Sequence, residues 1–411
     1  MSRQEEITTE IIIVGAGITG LALCAKLIQA GLHVVLLDKR LPKSLSAEIT
    51  PVVAQSPAWV STLARPAEYL LRQLSLWNIL TPYAVAYPEM QVALGVQAML
   101  YFRNTDIGAK NLGYILNNYR IKQVLWRYIN QPEHKLLQII EGIPQEWNER
   151  EGRLLTVGGQ TIQAKVCIGA DGVHSWVRKT AGILLQKDEE IEESAWVGMI
   201  RHVKGHGHIA RQAFFCDGVI GLLPSAQWTM SVGIWSAQHK PSLIEQTSIF
   251  EQSQQAYLCT QLAEVFPEDI FQIVGQWRQH QIYSQQSGYY QGRCALIGDA
   301  AICIHPLAGQ GLNLGMRQVM LLSDLLIKAH KSSDLSNPDQ VFSQYKRDCL
   351  GFDALTKMVI KNCRIWATQT GMMQKVLPVG VFMLNNISFM RRQIIRHALY
   401  GGIEIGDVER D

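Results

Sequence analysis

A chain of 411 residues is long enough for two or three lobes rather than a single core. Its composition is 47% hydrophobic and 18% charged, and the dispersed net charge of +3 offers no basic face, which excludes nucleic acid as an expected partner. No apolar stretch reaches the roughly 18–20 residues of a membrane span. The polar opening Met1–Glu10 carries no secretory signal, and eight cysteines without a C-x-x-C pair read as buried reduced thiols of a cytosolic protein.

Glu10 to Val14 is a buried-strand run, followed by Gly15-Ala-Gly17-Ile-Thr-Gly20 and a helix from Leu21 to Ala30. Gly31 closes that helix, and His33 to Leu37 forms a second strand ending at Asp38, 18 residues after Gly20. A G-x-G-x-x-G that follows a strand, opens a helix and has an acid at this distance predicts dinucleotide binding. The acid favours a free 2′-hydroxyl, as in FAD or NAD, over a 2′-phosphate.

Four prolines between 42 and 66 confine the next helix to about 67–74, and 83–103 alternates as strands. Gly113 to Leu116 leads into an amphipathic helix over 119–130, and 136–166 reads as a β-meander turning at Gly158-Gly159. The strand Lys165 to Ile168 ends in Gly169-Ala-Asp171-Gly172, with Ser175-Trp-Val-Arg178 after it. Alternating runs at 195–203, 209–215, 219–223 and 229–236 predict an inserted antiparallel sheet, and 242–280 is read as mostly helical with an interruption at Phe266-Pro. His202, His206 and His208 would lie on neighbouring strands without all pointing one way, so no metal site is expected.

Ala295 to Ile297 is another buried strand, ended by Gly298-Asp299, then Pro306-Leu-Ala-Gly309-Gln310-Gly311 and a helix carrying Leu312, Met316, Val319 and Met320. Three strand ends bearing Gly and Asp suggest one shared ligand, because open α/β sheets bind ligands at the carboxyl ends of their strands. Residues 355–400 are apolar and helical in pattern, with seven Lys or Arg and no Asp or Glu. Such a tail suits the surface of an anionic membrane; packing on the chain's own body or on a second copy is the competing reading, and the two are compatible.

On Ala295-Leu-Ile-Gly-Asp-Ala-Ala, His305-Pro-Leu-Ala-Gly-Gln-Gly-Leu-Asn-Leu-Gly315, Gly169-Ala-Asp-Gly172 and the run from His206 to Phe214, the chain resembles the class A flavoprotein monooxygenases of the p-hydroxybenzoate hydroxylase fold. More narrowly, it resembles the ubiquinone-biosynthesis hydroxylases. The resemblance implies an α/β fold: a Rossmann-like FAD-binding domain (1–75, 105–183, 286–350), an inserted antiparallel β-sheet substrate domain (76–104, 184–285) and a C-terminal helical region (351–411). It implies that Gly15, Gly17 and Gly20 receive the FAD pyrophosphate, Asp38 the adenosine ribose and Asp299 the ribityl or pyrophosphate portion. Asp171 would lie near the pyrophosphate. Pro306, Gly309, Gln310, Gly311, Leu312 and Asn313 would line the isoalloxazine ring.

The implied activity is hydroxylation of the aromatic ring of a polyprenylated phenol through a C4a-hydroperoxyflavin, with O₂ and with NAD(P)H as electron donor. Two alternatives stand beside it: an epoxidase or prenyl reductase acting on another apolar substrate, and a non-catalytic flavin-binding scaffold of a quinone-biosynthesis complex. No catalytic acid or base is assigned, and His305 reads as a turn cap before proline. The implied location is cytoplasmic, peripheral on the inner face of the membrane through 355–400, with a biosynthetic complex or homo-oligomer as further partners. Trp59, Asn117, Ile302 and Gln318 depart from the family pattern.

Overall fold

The computed structural model describes residues 6–42, 59–96, 98–187, 193–215, 218–238, 252–304, 310–332, 335, 337–368, 381, 383 and 385–402. Its first unit is a six-stranded sheet in the order Tyr290–Gln291, Cys294–Leu296, Val166–Gly169, Ile11–Val14, Val34–Asp38, Leu137–Glu141. All neighbours are parallel except the edge pair of Tyr290–Gln291 with Cys294–Leu296. Parallel strands are covered on both faces, which is why Ile11, Ile12, Ile13 and Leu36 are uninterrupted apolar residues with no solvent exposure. Burying each such side chain contributes about 1.5–3 kcal/mol.

Leu137–Glu141, expected in the meander, belongs to this sheet instead, paired parallel with Val34–Asp38. The helix Asn118–Ile129 before it serves as the crossover that returns the chain in the same direction. The meander proper is Pro144–Asn148, Arg153–Thr156 and Thr161–Gln163, extended by Ile7–Thr8.

A second, seven-stranded sheet runs Phe271–Gln281, Glu193–His202, Met230–Gln238, Gly218–Pro224, Ile209–Phe215, Glu89–Leu94, Met99–Arg103. It is antiparallel except where Ile209–Phe215 lies parallel to Glu89–Leu94. Of the helix expected over 242–280, residues 242–251 lie outside the described residues, Gln252–Val265 is helical, and Phe271–Gln281 is an 11-residue strand. A bulge hides its alternation: the pairing register shifts between Val197 and Met199, opposite Gly275 at φ +69°. Trp277 from this strand lies across Gly198 and Gly233, where added Cβ atoms would sit 2.1 and 2.6 Å from its ring. The two glycines make room for one indole that spans three strands.

Among the described residues, the C-terminal region includes the helices Pro338–Thr368 and Ser388–Tyr400, the first running through the expected boundary at 350/351. Asn385 accepts from Tyr101 N and donates to Met99 O, closing the free edge of the second sheet. Arg391 pairs with Asp106 at 2.6 Å, and Ile395 is buried beside Ala195, Val197, Val232 and Ile234. At the far end, Arg317 Nε donates to Gly401 O at 2.6 Å. The last helix therefore straps the second sheet to the first unit.

Candidate active site

The first strand–turn–helix is built as its spacing predicts. Gly15 sits at φ +113°, and a Cβ there would lie 2.3 Å from Ala170 O; one on Gly20 would lie 2.0 Å from Gly15 O. Both glycines are demanded by the protein's own packing. Gly17 differs: its nearest neighbour would be Ala170 O at 3.9 Å, so the space above it is open for a ligand to approach the backbone. Gly17 also caps the helix Ile18–Gln29 without a side-chain acceptor, which leaves the first helical N–H groups free to face an anion. Asp38 is fixed beside them, accepting from Ala16 N at 2.6 Å and Arg40 N at 2.8 Å.

Asp171 ends the strand Val166–Gly169. Its Oδ2 accepts from Trp176 N at 2.6 Å and Val177 N at 3.1 Å, capping the helix Trp176–Thr180. Burial pushes this carboxyl up, and the hydrogen bonds from Ser175 and the backbone pull it partly back. Its Oδ1 is buried without a partner. Arg178, which the sequence reading left without a role, donates to Ala300 O at 3.2 Å and Val173 O at 2.8 Å, tying this loop to the third one. Only the pairing of strand ends in space reveals that link.

The third loop is the turn Gly298–Ala300, with Gly298 at φ +60°. A Cβ on Gly298 would lie 2.9 Å from Thr19 Oγ1, and one on Gly315 would lie 2.5 Å from Thr19 Cγ2. Thr19, one residue before Gly20, is thus the ridge on which the first helix, the turn and the helix Gln310–Lys331 meet. Asp299 reaches solvent while the surrounding protein mass pushes its carboxyl up by desolvation, the setting of a cleft floor. Asn313 accepts from Ala64 N at 2.8 Å, the cap of the helix Arg65–Gln73, and its amide lies 3.4 Å from Gln310 Oε1. Gly311 has open space where a Cβ would be, and Leu312 is half-buried beside it. Pro306, Gly309 and His305 lie outside the described residues.

The departures are all placed. Trp59 meets His280 of the second sheet edge-on, with ring centroids 4.9 Å apart. Asn117 caps its helix by accepting from Tyr119 N at 2.8 Å. Ile302 is buried with Ile304 and Leu314, and Gln318 accepts from Gly298 N at 2.8 Å. Facing the first unit, the second sheet presents Ala195, Val197, Val232 and Ile234, packed with Tyr87, Leu112 and Ile115 in one apolar cluster.

The three histidines converge, contrary to expectation: ring centroids are 6.1 Å apart for His202 and His206, and 5.2 Å for His206 and His208. Strand Glu193–His202 ends at His202, and the turn that follows folds the other two back over it. Hydrogen bonds occupy the ring nitrogens of His202 and His206, the latter's Nδ1 accepting from His208 N at 3.0 Å. His202 joins Asp269 at 2.7 Å and Ser231 at 2.8 Å, and His206 donates to Ser225 O and Gln227 O. This Ser–His–Asp chain lies on the face away from the apolar cluster, and Ser231 has no solvent exposure, so it serves packing.

The open backbone at Gly17, the locked carboxylate of Asp38, the unpartnered oxygen of Asp171 and the cleft position of Asp299 fit a flavin dinucleotide. A family profile described as "FAD binding domain" matches residues 140–353, just over half of the chain, and an NAD(P)-binding Rossmann-like domain profile matches 13–45. The chain is 29% identical over 344 residues to the 3-demethoxyubiquinol 3-hydroxylase of Escherichia coli K12, covering 82% of this chain and 84% of that one. It is 24% identical over 406 residues to the ubiquinone hydroxylase UbiL of Rhodospirillum rubrum, covering 97% and 90%. Among solved structures, p-nitrophenol 4-monooxygenase PnpA of Pseudomonas putida superposes with a TM-score of 0.73 at 16% identity, covering 95% and 97%, a likeness of fold. The chain belongs to the FAD-binding domain family, and the relatives it resembles along most of their length are ubiquinone-biosynthesis hydroxylases.

Proposed function

We propose that the protein is an FAD-dependent monooxygenase that hydroxylates the ring of a polyprenylated phenol in ubiquinone biosynthesis, taking its oxygen from O₂ and its electrons from NAD(P)H. The observation that carries this reading is the meeting of three Gly/Asp strand ends, joined through Ala170, Arg178 and Thr19, in a chain whose second sheet carries an apolar face. Bound FAD supplies the activation of O₂, chemistry that no side chain provides. The protein's part is placement and dryness. Backbone N–H groups at Gly17 and the following helical turn hold the pyrophosphate, Asp38 the ribose, and Asp299 with the start of the helix Gln310–Lys331 the part nearest the ring. Ala195, Val197, Val232 and Ile234 keep water from the reacting ring, which an oxygen-transfer step requires.

A polyprenylated substrate partitions into lipid, and the reading includes peripheral contact with the inner face of the membrane. Among the described residues no helix is long and apolar enough to cross a membrane. The helix Ser388–Tyr400 turns Phe389, Met390 and Ile394 outward at 67%, 46% and 41% exposure, with Arg392 and Arg396 exposed beside them. An apolar face flanked by arginines suits anionic headgroups.

Incubating the purified yellow protein with NADH or NADPH, a series of prenylphenols and ¹⁸O₂ tests the activity. Label on the ring is the expected product. Label on the prenyl chain would favour an epoxidase, and reductant-independent inertness toward every phenol would favour a scaffold. Co-sedimentation with phosphatidylglycerol vesicles, compared between the native chain and Phe389→Glu/Ile394→Glu, tests the surface; equal binding would reject it.

A further inference from the structure

Gly298 N has left its strand and finds no carbonyl. Its partner is Gln318 Oε1, about two turns into the helix that begins at the proposed flavin site. Because that oxygen accepts, the amide nitrogen must point the other way, and there it donates to Asp353 Oδ2 at 2.9 Å. Tyr289 Oη donates to the same oxygen at 2.7 Å. Gln318 and Asp353 have no solvent exposure. Asp353 belongs to the helix Pro338–Thr368, which grips the same strand end a second time through Tyr345 Oη on Leu296 O at 2.9 Å. Beside it, Arg317 stacks on Phe352 and holds Asp348 O and Gly401 O, its remaining nitrogen 3.9 Å from Asp353 Oδ1. The turn carrying Asp299 is therefore wired through one amide to a buried carboxylate of the C-terminal helices.

We propose that Gln318 and Asp353 are positioning residues: through Gly298 N they fix the turn that aims Asp299 at FAD, and so make cofactor binding depend on the C-terminal helices. The proposal rests on the reading of Gly298–Asp299 as part of the FAD site. The relay has a direction, acceptor then donor then acceptor, and needs one amide and one carboxylate in either order. Gln318→Glu places two carboxylates about 3 Å apart, so one proton must be shared and the pair repels once that proton is lost. Gln318→Glu/Asp353→Asn reverses the order: the new amide donates to the new carboxylate, which still accepts from Gly298 N, and Tyr289 Oη turns from donor to acceptor.

The test is the FAD dissociation constant of the apoprotein, read by quenching of flavin fluorescence from acid to alkaline pH, beside the flavin midpoint potential. For Gln318→Glu we expect affinity close to native in acid and weaker by about tenfold or more in alkali, the cost of an unpaired buried group. The double variant is expected to bind without that pH dependence and to return toward native affinity. A flat profile for Gln318→Glu, or a double variant no better than the singles, overturns the relay. Should Gln318→Glu not fold, Asp353→Asn against the double variant decides: the relay requires the double variant to bind FAD more tightly. Asp299→Ala separates the two readings. Unchanged FAD affinity in it rejects the site itself, whereas lost affinity alongside a flat Gln318→Glu profile rejects the relay alone.

Discussion

The two sheets bury apolar residues by opposite means. In the six-stranded sheet, strands apolar on both faces end at loops whose glycines are dictated by contacts shorter than a Cβ allows, as at Gly15 and Gly20. In the seven-stranded sheet, strands alternate and the glycines at 198 and 233 yield to a side chain, Trp277. The first arrangement fixes backbone for a ligand; the second fixes a wall. Stability and cofactor binding should therefore separate when each is damaged.

The sharpest break of that contrast is within one motif. Gly15→Val, strained at φ +113° and 2.3 Å from Ala170 O, should cost well over about 3 kcal/mol and yield little folded protein by thermal denaturation. Gly17→Ala, with open space, should melt within about 1 kcal/mol of native yet bind FAD about tenfold more weakly in fluorescence titration. In the other sheet, Trp277→Ala should destabilise by about 3–5 kcal/mol through the cavity it leaves, with flavin affinity of the folded fraction unchanged. A loss of affinity there would show the two sheets to be coupled more tightly than their glycines suggest.

A smaller effect concerns pH. Burial lowers the His202 pKa, against the pull of Asp269, and lowers those of His206, His280 and His397. A histidine depressed in the fold contributes stability that is lost as pH falls below the unfolded value of about 6.5. The melting temperature should drop on acidification through that range, and His202→Asn should flatten the slope by removing one of these contributors. Smallest is Ile302→His: placing an imidazole among Ile304 and Leu314 should cost about 1–3 kcal/mol, checked by denaturant titration.

The legible features were local. Gly15, Gly17 and Gly20, the strands around them and the strand-end acids Asp38, Asp171 and Asp299 follow from spacing, because a turn's need for glycine is settled within a few residues. Whatever depends on distant partners was hidden. Nothing near Thr19 announces that Gly298 and Gly315 will rest on it, and Arg178 reads as an ordinary helix cation until Ala300 O is beside it. Phe271–Gln281 was misread because a bulge broke its period, and Leu137–Glu141 because parallel pairing leaves no mark on a five-residue strand.

The last helix sits across both units, with Asn385 and Arg391 on one and Gly401 on Arg317 of the other. Hinge opening of the cleft would have to break an ion pair, withdraw Ile395 from its apolar cluster and free a buried guanidinium at once. Such a molecule should not breathe by domain rotation: it should melt in one calorimetric transition and resist limited proteolysis between its units until the strap is cut, after which two separately protected fragments should accumulate.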